Sequence, residues 1–153
     1  MIIRTATVDD LPYISEIDKE AIAPSWSDES FLNEINNEYS CFQLAEFDNH
    51  IVGFCLLKLL GDEAELLRIA VEKSYRRNNV ADRLLFSMLD YTSVNKIKTI
   101  FLEVRHSNIA AINLYNKHGF TKIGTRIDYY TEPTEDAIIM RYRIRNSEYG
   151  IRS

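Results

Sequence analysis

Apolar and polar positions alternate along this chain in two periods, and the switches between them divide it into elements. Met1 to Thr7 reads as a short strand. Asp9 and Asp10 open a helix with Pro12 in its first turn, where a missing N–H is harmless, and Pro24 breaks it after about Ile22. Ser27 is a good N-cap for a second helix, with Asp28 and Glu29 in the favourable first turn. Trp26 before the cap and Phe31 after it have the spacing of a hydrophobic staple, and this helix runs to about Asn37. Three strands follow: Cys41 to Phe47, Ile51 to Leu60 and Glu63 to Val71. Asp48-Asn49 and Gly61-Asp62 supply the turns between them.

Val80 to about Val94 is the clearest helix: Val80, Ala81, Leu84, Leu85, Met88 and Leu89 recur at the 3.6-residue period. Thr99 to Val104 reads as a strand and Ile109 to Lys117 as a short helix. Asn108 can cap that helix, and Gly119 sits where a left-handed residue closes it. Phe120 to Tyr130 and Asp136 to Ile144 are two final strands. The order is β-α-α-β-β-β-α-β-α-β-β, a mixed α/β (α+β) class with mostly antiparallel neighbours. The strand-helix-strand unit from Glu63 to Val104 implies one parallel pair.

The length of 153 residues fits one domain, expected over residues 1–145, with a polar tail over 146–153 expected to fray. No repeat or Pro/Gly-rich linker divides it. A net charge of −5 argues against non-specific nucleic-acid binding and suits a basic partner. Cys41 and Cys55 lie in apolar runs and read as buried, reduced thiols rather than a disulfide framework. Met1 to Asp10 lacks the apolar core of a secretory signal, and the longest apolar stretch, Ile51 to Leu60, is too short to span a bilayer. A cytoplasmic protein is expected, with no membrane partner and no metal. His50, His106 and His118 have no metal-ligand spacing with each other or with the cysteines.

Three segments carry candidate chemistry. From Ile69 to Ala81 a strand passes through a basic loop, with Lys73, Arg76 and Arg77, into a helix N-terminus. Unpaired N–H groups and the positive dipole end make an anion site there. The alternative is a solvated basic turn capped by Asn79. In Phe101 to Asn108, Glu103 and Arg105 point to the strand face opposite Leu102 and Val104. Glu103 can serve as a general base, or simply pair with Arg105 or another cation. Asn108 and Tyr115 are two helical turns apart and share a face. Tyr115 can present its hydroxyl as a proton donor, or be a core tyrosine.

Together these segments resemble the GNAT superfamily of N-acetyltransferases, from Ile2 to about Ile144. The likeness is carried by Trp26-Ser27, Asp62-Glu63-Ala64, Ile69-Ala70-Val71, Leu102-Glu103-Val104-Arg105, Ser107-Asn108, Leu114-Tyr115, Gly119-Phe120, Tyr129-Tyr130 and Glu135-Asp136-Ala137-Ile138-Ile139-Met140. It is closest to the RimI-like branch, which acetylates the N-terminal alanine of a ribosomal protein, and to the archaeal N-terminal acetyltransferases. The resemblance implies a sheet of about seven strands flanked by about four helices, acetyl-CoA as cosubstrate, and a protein or peptide N-terminus as acceptor, a ribosomal protein among the candidates. A monomer or weak homodimer is expected.

It also implies roles. Ile69, Ala70 and Val71 would lie along the acetyl and pantetheine portions of the cofactor. Arg76, Arg77, Asn78, Asn79, Val80 and Ala81 would wrap the pyrophosphate, Asn108 and Tyr115 would contact the cofactor, Glu103 would be the base and Tyr115 the acid. The family's loop reads R/Q-x-x-G-x-G/A; here Asn79 replaces the first glycine and Ala81 is an accepted last residue. Asn tolerates left-handed geometry best after Gly, so cofactor binding is expected to survive. Trp26, Tyr129 and Tyr130 would flank the acceptor entrance, with Glu34, Glu38 or Asp128 available to attract a basic peptide. The rivals are an acetyltransferase of a small amine (polyamine or antibiotic) or of lysine side chains, and a non-catalytic coenzyme A-binding module.

Overall fold

The structure, a computed structural model, describes residues 1–144; the expected tail lies outside the described residues. Seven strands and four α-helices follow in the order the periodicities predict. They are β1 (Ile2–Thr5), α1 (Leu11–Ala21), α2 (Asp28–Ile35), β2 (Ser40–Phe47), β3 (His50–Leu60) and β4 (Glu63–Val71). Then come α3 (Val80–Val94), β5 (Thr99–Arg105), α4 (Ile109–Lys117), β6 (Thr121–Tyr130) and β7 (Glu135–Arg143). Strand order is β1-β2-β3-β4-β5-β7-β6. The β1–β2, β2–β3, β5–β7 and β6–β7 ladders are antiparallel, and β4 pairs with β5 in parallel. This is the mixed α/β architecture expected, and the parallel pair falls where the helical crossover demands it.

The chain divides into two compact units, residues 1–59 with 66–90, and residues 60–65 with 91 onward. Neither is a continuous length of chain, because β4 and α3 each contribute to both.

The first unit forms around α1, α2, β2 and β3. Ser27 caps α2 by accepting a hydrogen bond from Ser30 N, and the staple closes with the Trp26 and Phe31 rings 5.2 Å apart. Phe31 is fully buried and packs on Phe42 and Phe54 at 6.1 and 5.7 Å between ring centroids. The β2–β3 turn is tight because Asp48 and Asn49 both take positive φ, 50° and 62°, as a two-residue hairpin requires. Gly53 on β3 admits a close approach. A Cβ there would lie 2.9 Å from the Ala70 carbonyl oxygen and 3.2 Å from Val80 of α3. Cys41 and Cys55 are free, buried thiols.

In the second unit β5 alternates strictly, burying Ile100, Leu102 and Val104 and turning Glu103 and Arg105 to the other face. Asn108 caps α4 through a hydrogen bond from Ala111 N to Oδ1 at 3.2 Å. Gly119 ends it at φ 98°, and a Cβ there would meet the Tyr142 ring at 3.0 Å. Among the described residues no helix is long and apolar enough to cross a membrane.

Candidate active site

In the first unit β4 ends at Val71 and the chain reaches α3 through a 3-10 turn at Lys73–Tyr75 and an exposed loop. Ala70 and Val71 are buried, while Ile69 is half-buried. The Arg76 Nε donates to the Val71 carbonyl at 3.1 Å, folding the loop back on the strand end. Asn78 Nδ2 donates to the carbonyls of Tyr75 and Arg76 at 3.2 and 3.3 Å. Arg77 and Asn79 take left-handed backbone, with φ of 69° and 61°. Asn79 therefore adopts the conformation that glycine would offer at this position, as its side chain permits. Its carbonyl accepts the first helical bond, from Arg83 N at 3.0 Å, so the amides from Val80 onward begin α3 with their N–H groups directed out of its end. The helix dipole places positive potential there, and Arg76 and Arg77 add to it. Asn78, Asn79, Val80 and Arg83 also line a cavity of about 500 Å³, with Phe47 and Tyr75 on its walls. A left-handed loop, a helix start and exposed guanidinium groups fit a diphosphate.

In the second unit Glu103 has a different partner from the obvious neighbour. Arg105 spans to the β6–β7 turn, donating to Pro133 O at 3.1 Å, Thr131 O at 3.2 Å and Glu135 Oε1 at 3.3 Å. Its guanidinium also stacks 4.5 Å over the Tyr130 ring. The cation beside Glu103 is Arg126 of β6, with Nε 2.6 Å from Oε2. Their side chains are 20% and 57% exposed for Glu103 and Arg126 respectively. That Oε2 atom is buried and has no aligned hydrogen-bond donor, so the pair is ionic without being a formed hydrogen bond. Arg126 lies 5.7 Å over Tyr129. Register pairs Glu63 and Glu65 of β4 with Thr99 and Phe101, which share a face with Glu103, so Glu65 and Glu63 face the same side as Glu103.

The titration of this face follows from that arrangement. Burial and the Glu103 charge push the Glu65 carboxyl up, opposed by Arg126. The Glu103 charge, with burial, raises the Tyr129 hydroxyl. Burial and Glu103 push Tyr130 up to about 12. Tyr115, on α4, is mostly buried with its ring 5.7 Å from that of Phe120. Asn108 is exposed, and its side-chain oxygen is committed to the α4 cap.

The sequence reading named Glu103, Tyr115, Asn108, Tyr129 and Tyr130 but passed over Glu65 and Arg126. Glu65 has a local signal, since strand alternation puts it opposite Ala64 and Leu66. Arg126 has none: its pairing with Glu103 depends on β7 lying between β5 and β6. Of the acidic residues suggested for a basic peptide, Glu34 is engaged by Lys58 at 2.7 Å and by Ser40. His50 pairs with Glu72 at 3.0 Å. Among the described residues no group of His, Cys, Asp and Glu is placed to hold a metal ion.

Residues 10–120 match the model of the Acetyltransferase (GNAT) family. The chain belongs to the GNAT acetyltransferases. Its relatives include the [ribosomal protein bS18]-alanine N-acetyltransferase of Escherichia coli strain K12, 38% identical over 133 residues, which are 86% of this chain and 89% of that one. The crystal structure of the ribosomal-protein-S18-alanine N-acetyltransferase from Escherichia coli superposes with a TM-score of 0.88 at 34% identity, over 94% of this chain and 93% of that one. The PaiA N-acetyltransferase from Thermoplasma acidophilum, solved in complex with coenzyme A, superposes at 0.77 with 25% identity, over 94% and 98% of the two chains. This GNAT protein is thus an N-acetyltransferase of a family that uses acetyl-CoA, and its RimI-like resemblance is borne out.

Proposed function

We propose that this acetyltransferase moves the acetyl group of acetyl-CoA to the α-amine of a protein N-terminus in the cytoplasm, with the N-terminal alanine of a ribosomal protein as the first acceptor to test. The observation that carries the acceptor class is near full-length similarity to an enzyme named for that alanine. Chemistry favours it as well. The acceptor must be neutral to attack a thioester. An α-amine, with a pKa of about 8, is about a tenth neutral at pH 7, whereas a lysine, at about 10.4, is neutral less than about one part in a thousand.

Acetyl-CoA supplies an activated acyl group, and this chain's residues hold and use it. Arg76, Arg77 and the backbone from Asn78 to Ala81 bind the diphosphate, with the start of α3 facing the negative charge. Ile69, Ala70 and Val71 offer their strand to the acyl and pantetheine portions, Asn108 contributes a further contact, and N–H groups near Val71 oppose the charge that develops on the carbonyl oxygen. Glu103 accepts the proton of the amine through a water, and the Tyr115 hydroxyl donates a proton to the departing thiolate.

Coenzyme A thiol release tests the reading. The panel holds basic peptides with free N-terminal Ala, Ser or Met, the same peptides N-terminally blocked but containing Lys, and polyamines. Turnover confined to free N-termini supports it; turnover confined to polyamines or blocked peptides overturns the acceptor. Glu103→Gln and Tyr115→Phe should each lower kcat by about 10²–10⁴-fold with the fold intact. Unchanged turnover removes that residue from the mechanism.

A further inference from the structure

The cavity in the first unit is built mostly from residues that acetyl transfer leaves unused. Its volume is about 500 Å³, that of a small-molecule pocket. Val52 of β3 and Val80 of α3 are buried and give it an apolar base. Phe47, at the end of β2, and Tyr75, in the 3-10 turn, form an aromatic corner, with their rings 6.1 Å apart and tilted by 51°. The His50 ring stands 6.0 Å from that of Tyr75. Arg83 of α3 is the one charged side chain in the lining. It is exposed and has no hydrogen-bond or ion-pair partner among the described residues. Glu72 lies outside the lining, with its carboxylate held by His50 at 3.0 Å and by Ser74 at 3.1 Å. Ile69, Val71, Arg76 and Arg77, which serve the cofactor, are also outside it. An apolar base, an aromatic corner and one free guanidinium fit a flat ring that carries an anionic group. The ring packs on Phe47 and Tyr75, and the guanidinium takes the anion.

We propose that this cavity is a second ligand site, for a small aromatic carboxylate, and that its occupant tightens the binding of acetyl-CoA. The site stands on the cavity itself; the coupling rests on the reading of the β4–α3 loop as the cradle of the diphosphate. Tyr75, Asn78 and Asn79 both line the cavity and form that loop. The loop holds Arg77 and Asn79 at φ of 69° and 61°, which costs free energy for residues other than glycine. Asn78 Nδ2 helps to hold it, donating to the Tyr75 and Arg76 carbonyls. A ligand packed on Tyr75 and bonded to Asn78 favours this loop conformation over any that withdraws those side chains. Linkage then makes the effect mutual: ligand and cofactor each raise the other's affinity by the same factor.

The probe is phenylacetate, with benzyl alcohol as its uncharged counterpart and cyclohexylacetate as its non-aromatic one. Backbone amide shifts of the isotope-labelled protein locate binding, and calorimetry gives the Kd of coenzyme A with and without phenylacetate. Phenylacetate should move the amides of Phe47, Tyr75 and Asn78 to Val80 with a Kd of about 1 mM, ordinary for a ligand of its size. The counterparts should bind about tenfold more weakly, as should phenylacetate to Arg83→Gln and to Phe47→Ala, while Arg83→Lys keeps most of the affinity. Saturating phenylacetate should tighten coenzyme A about fivefold. Arg83→Gln should bind coenzyme A alone as wild type does and show a smaller gain at the same phenylacetate concentration. Amides unmoved well above that Kd overturn the site, as does binding that Arg83→Gln and Phe47→Ala leave unchanged. Competition between phenylacetate and coenzyme A overturns it too, marking the cavity as part of the cofactor's own site. Binding that leaves coenzyme A affinity unchanged overturns the coupling. Failure of coenzyme A to bind at all, with phenylacetate still moving the amides, removes the diphosphate role of the loop and the coupling with it.

Discussion

Asp18 on α1 offers a quantitative test of what holds the first unit together. It is fully buried. Its Oδ1 accepts from Arg68 Nε at 2.7 Å, and its Oδ2 accepts from Arg68 Nη2 at 3.1 Å and from Trp26 N at 2.8 Å. Arg68, only 10% exposed at its side chain, also donates to Pro24 O at 3.1 Å and lies 5.1 Å over the Trp26 ring. The perturbation is Asp18→Asn, which keeps the shape and removes the charge. At an effective dielectric constant of about 20, charges this close attract by about 6 kcal/mol. Arginine cannot shed its charge, so the variant buries an unpaired guanidinium. Part of the lost attraction returns as water reaches Arg68, and breaking a buried pair from one side costs about 3–5 kcal/mol. For a chain of this size that lowers Tm by roughly 10 °C. Urea denaturation with an unchanged m-value measures it. A loss below about 1 kcal/mol would refute the reasoning. Asp18→Leu with Arg68→Met should recover most of the stability, because no buried charge is left behind.

The bidentate Arg4 guanidinium, 2.8 Å from each Asp10 oxygen, holds the Asp10 carboxyl below the usual carboxylate range, against burial. A depressed folded value gives stability that is present above about pH 4 and lost as pH falls through the folded value. The urea-midpoint gap between wild type and Asp10→Asn should therefore be widest near pH 6 and close towards pH 2. Asn79→Gly, at φ 61°, should leave KM for acetyl-CoA near wild type, while Asn79→Val should raise it roughly tenfold, since a β-branched residue disfavours left-handed backbone by about 1–2 kcal/mol. Burial pushes the Cys41 thiol up to about 11 and Cys55 higher still, so an aromatic disulfide reagent at pH 8 should label the native protein far more slowly than the urea-unfolded chain.

Much of this was legible in the chain because it is local. The 3.6-residue period of α3, the Ser27 and Asn108 caps, the Asp48-Asn49 turn and the left-handed Gly119 all follow from residues within a few positions of each other. The parallel pair of β4 with β5 followed from the helix between them. Asn79 was legible for the same reason: its departure from the family's glycine concerns one backbone torsion, which its own side chain tolerates. The alternation of β5 likewise put Glu103 and Arg105 on one face, but alternation says nothing about partners across the sheet.

Partners were decided by strand order and register. The placement of β7 between β5 and β6 sets Arg126 against Glu103, and the β4–β5 register adds Glu65 to the same face. The neighbour on the strand, Arg105, is drawn off to Glu135 and the carbonyls of the β6–β7 turn. The sequence by itself determined the elements, the caps and the family, because these depend on torsions and on side chains a few residues apart. The tertiary structure alone decided which charges meet, because Coulomb forces act through space: Arg126 and Glu103, which attract, are separated by 23 positions of chain, and Glu65 and Glu103, which repel, by 38.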